Sequence, residues 1–407
     1  MKILTLNCGS SSLKYKLFEM KTNNVLAKGQ ADRIGLTNAL FSHNLQGREV
    51  FQNERRLADH LEAVRALLSF LTNKEQNILK DINEIAGVGH RVVHGGEHFH
   101  QSVVVNQAVR EILEATKKLA PLHNPPNLMG IDVCTELMVG VPQVAVFDTA
   151  FHQTLPPRAF IYAIPYRYYA DDHVRRYGFH GISHRYVASR AAKILRGKID
   201  NPRIITCHLG NGSSLCAVAQ GQSRDTSMGF TPLSGVVMGT RSGDIDPTVV
   251  SFIAEKEQYS LTEVMDVLNR QSGVLGISGV SPDFRDLEKE AAQGHERARL
   301  ALDVFAYSVA RGVASLIPAI DGLDALAFTA GIGENSPKMR RRICSFLAWL
   351  GVVLNEDTNS ENTGEREISA RESKITVLVV PTDEEKIIAQ ETMEVLQQDK
   401  RAEKNRF

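Results

Sequence analysis

Cysteine is scarce in this chain: 407 residues hold only Cys8, Cys134, Cys207, Cys216 and Cys344. Five is an odd number, so they cannot all pair within the chain, and no two stand at the short spacing of a zinc-binding pair. Reduced thiols and a cytoplasmic setting are the simpler expectation. Net charge is also missing, since 47 basic residues balance 47 acidic ones. That argues against a broadly basic nucleic-acid surface while leaving room for a local positive cleft. No uninterrupted apolar run approaches the roughly 20 residues that cross a bilayer. The opening MKILTLNCGSSS turns polar too early for a secretory leader. Nucleic acid and membrane are therefore not expected partners.

What is present suits a folded enzyme. A 43% hydrophobic share supports substantial cores, and the length fits two domains of ordinary size. The fold class expected is α/β. An N-terminal domain is expected over 1–150, completed by 385–407, with a C-terminal nucleotide-binding domain over 151–384. Residues 2–7 read as a strand ending in a small polar turn at Cys8-Gly9-Ser10-Ser11-Ser12, with further strands from Lys14 and over 25–31. Leu57, Leu61, Val64, Leu68 and Leu71 mark one face of a helix, and another is expected over 109–120. Residues 143–147 read as a strand ending at Asp148. Residues 203–209 form a second strand-then-turn, followed by Gly210-Asn211-Gly212-Ser213-Ser214, and its likeness to the N-terminal one predicts a duplicated architecture. Ser260 with Glu263 predicts a capping box. Residues 324–330 read as a strand running into the loop Gly331-Ile332-Gly333-Glu334-Asn335. Residues 355–373 read as an exposed turn or hairpin. A helix begins at Glu384, with Ile387, Ile388, Val395 and Leu396 facing inward.

The chemistry is suggested by small residues at strand ends. Gly9 with Ser10 and Ser12, Gly210 with Gly212, and Gly331 with Gly333 can bring backbone amides close to phosphate. None matches the P-loop or the full dinucleotide fingerprint, and each alone also reads as an ordinary turn. Arg91 and Arg241 each stand beside glycines, in HRVVHGG and GTRSGD. Their planar donor arrays suit phosphate oxygens, although solvent-facing or ion-paired arginines would look the same. Asp148 can orient a reacting oxygen or help hold Mg2+, and His180 can donate to developing charge. His123 and His208 read equally as packed polar residues. The acids after Pro381 read as a helix N-terminal cap or as metal ligands.

Taken in order, the motifs are more specific than any single loop. NCGSSSLK at 7–14, GHRVVHGGE at 89–97, PLHNP at 121–125, VFDTAFH at 146–152, RRYGFHGISH at 175–184, CHLGNGSS at 207–214 and MGTRSGDIDP at 238–247 resemble the acetate kinase family. GIGEN and PTDEE extend the likeness to nearly the whole chain. The resemblance implies the actin-like, sugar-kinase-like superfold, with two α/β domains around a central nucleotide cleft, and a homodimer. It implies Arg91, Asp148, His180 and Arg241 as catalytic residues, and Mg2+ or Mn2+ held by Asn7, Asp148 and Glu384. ATP or ADP would be addressed by Asn7, Ser10, Ser12, Lys14, His208, Gly210, Asn211, Gly212, Asp283, Phe284, Arg285, Gly331, Ile332 and Asn335. The short carboxylate would sit against Arg91, Val93, Leu122, His123, Phe179 and Pro232. The sequence departs from the family pattern at Ser234, where Glu is common, and at Asp383, where Asn is. Phosphoryl transfer between ATP and acetate, forming ADP and acetyl phosphate, is the expected activity. A propionate or broadly specific short-chain kinase and a noncatalytic actin-like assembly protein are the alternatives.

Overall fold

The computed structural model describes residues 1–45, 48–121 and 123–404. The chain forms two units: Met1–Phe151 together with the chain from Asp383 onward, and His152–Thr382. The return to the first unit comes two residues before the expected one at 385. Asp383 is the reason: its carboxylate accepts from Lys16 Nζ at 2.9 Å and from Lys386 N at 3.2 Å, joining the first hairpin to the last helix.

The first unit contains β1 (Lys2–Cys8), β2 (Ser12–Glu19), β3 (Asn24–Asp32), β4 (Ala39–Leu45), β5 (Arg48–Arg55), β6 (Ile85–Val92), β7 (Val103–Val104) and β8 (Gln143–Phe147). They form one sheet in the order β5-β4-β3-β2-β1-β6-β8-β7. Helix His60–Leu71 covers one face through Ala63, Val64, Leu67 and Leu71, packed with Leu4, Leu6, Tyr15 and Leu17. Helix Glu384–Lys404 lies against β1, β6 and β8. Gly87 and Gly89 permit that approach, because a Cβ at either would collide with Leu396, or with Thr392 and Ile388.

The second unit contains β9 (Ile204–Leu209), β10 (Ser213–Ala219), β11 (Gln222–Thr226), β12 (Ala325–Thr329), β13 (Arg366–Glu367) and β14 (Thr376–Val379), in the order β11-β10-β9-β12-β14-β13. The anticipated duplication is visible here. Each unit opens with antiparallel strands, five in the first and three in the second, and the first of them pairs in parallel with a later strand (β1 with β6, β9 with β12). A further parallel strand follows (β8, β14), edged by a short antiparallel one.

Helix Glu296–Leu316, extended to Ala319 by a tighter turn, is long and apolar enough to cross a membrane by length and composition. Asp303 and Arg311 break its apolar run, which is why a search for uninterrupted runs passes over it. Its stripe of Ala298, Leu302, Phe305, Val309, Val313 and Leu316 is buried with Ile205, Leu215, Leu326 and Val377. It is the core helix of the second unit.

Several local expectations shift. The helix expected over 109–120 is Gln107–Ala115, tightening to a 3-10 turn over Thr116–Leu119 before Pro121. The segment 355–373 contains helix Glu356–Ser360, started by Asn355. The supposed loop after β12 is a short helix, Ala330–Asn335.

Candidate active site

Parallel strands gather side chains at their carboxyl ends, where α/β sheets bind ligands. In the first unit Arg91 is the penultimate residue of β6, and Asp148 follows β8 directly. Arg91 Nε donates to Asp148 Oδ1 at 3.0 Å and Nη2 to Oδ2 at 2.7 Å. Its remaining nitrogen, Nη1, lies 3.3 Å from Glu384 Oε2, at the start of the last helix. Burial opposes the charge on Arg91, but the two carboxylates outweigh it and push its pKa up. The Glu384 pKa is also raised: burial raises it, Arg91 counters, and Asp148, Glu385 and Asp383 add to the rise. Asn7, near the end of β1, is half-buried at the same edge.

The loop after β6 is fixed by amide side chains. Val93 N donates to Asn127 Oδ1 at 3.1 Å, His94 N to Asn124 Oδ1 at 3.1 Å, and Gly95 N to Thr149 Oγ1 at 3.1 Å. Asn127 also donates to the Cys8 carbonyl at 2.8 Å, tying β1 to the same helix, Asn124–Leu137.

In the second unit His180 precedes helix Gly181–Ile194 with φ +56°, a left-handed conformation uncommon for a residue with a Cβ. Its ring stacks on His208, with centroids 4.2 Å apart. Gly212 sits between His180 and Arg241: a Cβ there would lie 3.5 Å from His180 Cε1 and 3.5 Å from Arg241 Nη1. Arg241 Nη1 donates to the Pro232 carbonyl at 3.0 Å, and burial draws the Arg241 pKa down. This guanidinium is charged and partly desolvated, a state in which an incoming anion is strongly attracted.

A cavity of about 530 Å³ opens beside these residues in the second unit, lined by Gly210, Asn211, Asp283, Phe284, Arg285, Gly331, Ile332 and Asn335 together with Pro282, Glu288 and Ser336. Asp283 starts helix Phe284–Ala292, accepting from Arg285 N at 2.9 Å, and also pairs with the exposed Arg285 guanidinium. Ala330 has φ +63°, so β12 turns sharply into the next helix. Glu334 Oε1 accepts from Ala330 N at 2.7 Å and from Thr382 N at 3.1 Å, which starts that helix. Arg340 holds its other end, donating to the carbonyls of Gly333 and Glu334 at 2.9 Å each and to Asn359 Oδ1 at 2.9 Å.

Thus Arg91, Asp148 and Glu384 meet in one unit, while His180, His208, Gly212 and Arg241 gather in the other. Ser10, Ser12 and Lys14 lie on the β1–β2 hairpin, whose turn is closed by Gly9 N donating to the Ser12 carbonyl at 2.8 Å; Ser10 and Lys14 are exposed. His123 is exposed, Val93 half-buried and Phe179 fully buried. Leu122 lies outside the described residues. Sequence reading overlooked Glu334, Arg340, Ser214 and His184. The signal for His184 was present, because it stands in the first turn of the helix that His180 precedes, within the same motif.

A divalent cation was expected on Asn7, Asp148 and Glu384. Two carboxylates and an amide are the oxygen donors that Mg2+ prefers, and a cation would offset the burial and the neighbouring acids that raise the Glu384 pKa. Among the described residues no cluster of three or more His, Cys, Asp or Glu side chains is placed to hold a metal, so the fit rests on this mixed set.

The repeated pattern of antiparallel strands followed by parallel ones is the actin-like, sugar-kinase-like α/β fold. The profile of the Acetokinase family matches residues 2–390. An acetate kinase of Thermoanaerobacter pseudethanolicus is 53% identical over 393 residues, covering 96% of this chain and 98% of that protein. The crystal structure of Porphyromonas gingivalis acetate kinase superposes with a TM-score of 0.92 at 45% identity, covering 97% of this chain and 99% of the other. A propionate kinase structure from Francisella tularensis gives 0.90 at 43%, with coverage of 97% and 99%. The chain belongs to the acetokinase family.

Proposed function

We propose that this protein catalyses reversible phosphoryl transfer between ATP and acetate, with Arg91, Asp148, His180 and Arg241 as its catalytic residues. The carrying observation is Arg91, a permanent cation held in place by Asp148 and Glu384 at the carboxyl end of a parallel sheet. An acetate oxygen attacks the terminal phosphorus, a C–O–P linkage forms, and the bond to the bridging oxygen of ATP breaks with its electron pair leaving on ADP. Acetate is already ionised at neutral pH, so no base is required. Asp148 keeps the Arg91 guanidinium in one plane, while His180 and Arg241 stabilise charge on the transferring oxygens. Asn7, Asp148 and Glu384 would hold Mg2+, or Mn2+ in its place, which when bound neutralises the nucleotide phosphates.

The 530 Å³ cavity of the second unit suits the nucleoside, with Gly210, Asn211, Gly212 and His208 assigned to the phosphates. Asn7, Ser10, Ser12 and Lys14 are the first unit's candidates for the same nucleotide. Val93, Leu122, His123, Phe179 and Pro232 are the residues assigned to the acyl group in this reading. A homodimer is supported by helix Thr248–Glu257, which has no buried residue despite Val249, Val250, Phe252 and Ile253, and by exposed Leu261 and Tyr166. A cytoplasmic location agrees with five free, buried cysteines.

The test is hydroxylamine trapping of the acyl phosphate made by purified protein from ATP, Mg2+ and acetate, with ATP formation from acetyl phosphate and ADP as the reverse measurement. Nucleotide hydrolysis independent of carboxylate would replace this reading with a nucleotide-driven assembly protein. The likeness to a propionate kinase keeps propionate as a second substrate to be assayed beside acetate.

A further inference from the structure

Behind His180 runs a chain of polar side chains that the transfer mechanism does not use. His180 Nδ1 lies 2.9 Å from Ser214 Oγ. The same oxygen lies 2.7 Å from His184 Nε2, and His184 Nδ1 lies 2.6 Å from Thr206 Oγ1. Thr206, His184 and Ser214 are all fully buried. They come from three elements: Thr206 on β9, Ser214 on the adjacent β10, and His184 on the helix that follows His180.

Proton counting gives this chain a direction. Each hydroxyl has one proton, and a neutral imidazole has one donor and one acceptor nitrogen. His184 is neutral, since burial, with His152 and His208 nearby, draws its pKa well down. The Thr206 proton can go to His184 Nδ1 at 2.6 Å or to the Cys216 carbonyl at 3.4 Å, and the second is long for an O–H···O bond. A buried hydroxyl is costly to leave poorly bonded, which favours the short contact. Thr206 therefore donates to His184 Nδ1, His184 Nε2–H donates to Ser214, and Ser214 donates to His180 Nδ1.

We propose that Ser214 is a positioning residue for phosphoryl transfer, relaying a hydrogen bond from Thr206 and His184 that makes His180 Nδ1 an acceptor and places the ring proton on Nε2. The proposal rests on the reading of His180 as catalytic. With Nδ1 engaged by Ser214, the role in transfer falls to Nε2–H, and a neutral ring can perform it. The helix and two strands fix the ring orientation while the hydroxyl fixes the tautomer, much as the orienting carboxylate does in a catalytic triad.

The experiment combines kinetics with imidazole 15N spectra of the full-length protein labelled in histidine, comparing the parent, Ser214→Ala, Ser214→Thr and His180→Ala. The parent His180 should show protonated Nε2 and unprotonated Nδ1. Ser214→Ala should lower kcat by roughly 10-fold or more, leave both KM values within about twofold, and mix the His180 tautomers. Ser214→Thr, which keeps the hydroxyl, should restore the parental spectrum and part of kcat. A parent spectrum with His180 protonated on Nδ1, or parental turnover in Ser214→Ala while His180→Ala is impaired, overturns the relay. Parental turnover in His180→Ala instead removes the underlying assignment of His180. Should Ser214→Ala not fold, Thr206→Val carries the same readout, because it removes the hydroxyl that sets the direction, and unchanged His180 tautomers there sink the idea.

Discussion

Arg91 and Asp148 face each other through two parallel hydrogen bonds, one guanidinium edge against one carboxylate. Asp148 is 2% exposed, so loss of its partner would leave a buried carboxylate without its cation. Removing one partner of such a pair leaves an uncompensated charge, at a cost of roughly 3 kcal/mol or more. Arg91→Ala should therefore lower urea stability by that amount and turnover by roughly 10²-fold. Arg91→Lys should recover little of either, because an ammonium cannot make the two-pronged contact. Urea denaturation and steady-state assay of both variants check this; parental values in Arg91→Ala would remove the residue from both roles.

Arg241 should behave differently. Its side chain bonds to a carbonyl and contacts the Met238 sulfur, so its removal strands no buried carboxylate. Arg241→Ala is expected to lose roughly 10²-fold in turnover while its unfolding free energy stays within about 1 kcal/mol of the parent. A large stability loss with intact specific activity would make it a structural residue.

Arg340 is 1% exposed and bonds to carbonyls and Asn359 rather than to a carboxylate. Burial draws its pKa down to about 10. Because it holds the far end of helix Ala330–Asn335, Arg340→Met should raise the KM for ATP by roughly 10-fold and that for acetate much less. Equal increases in the two constants would count against a role confined to the nucleotide side.

Acid should weaken the first unit through His90, which is buried against Gln143 and whose pKa burial lowers to about 4. The unfolded chain binds this proton near pH 6.5 and the folded one resists it. The stability contribution is full above about pH 6.5 and is lost as pH falls toward 4, by about 3 kcal/mol at most. His90→Gln should flatten that part of the stability–pH curve, and a parental slope in the variant would assign the dependence elsewhere.

Val93 is the candidate gate for acyl length. Its backbone is fixed by Asn127, so shortening the side chain should open space rather than move the loop. Val93→Ala is expected to improve kcat/KM for propionate relative to acetate by several-fold, within the roughly 1–3 kcal/mol that one methylene commands. Unchanged relative values for acetate, propionate and butyrate would remove it as the gate.

Local signals in the sequence were legible where a residue acts on near neighbours. Ser260 and Glu263 form the anticipated capping box, and the strand at 143–147 has the expected bounds. Helix Asn124–Leu137 passed unnoticed because Pro125 and Pro126 resemble a loop, although proline fits a first helical turn. The GIGEN segment read as a loop because its glycines outweighed Glu334, whose contact with Thr382 is long-range. Motif likeness brought Arg91, Asp148 and Glu384 to attention together. Their distances depend on sheet order, which no local pattern encodes.

The route of the chain also sets a timetable for synthesis. Strands β1 to β8 emerge from the ribosome early, yet Glu384 and the helix that closes over Gly87 and Gly89 are translated after the entire second unit. At roughly 5–20 residues per second, the nascent first sheet waits ten seconds or more with that face uncovered. During that interval Arg91 lacks its second carboxylate, so a partly made chain has the recognisable beginnings of the site without the finished charge arrangement. Translation of the last helix is thus the step that arms the first unit.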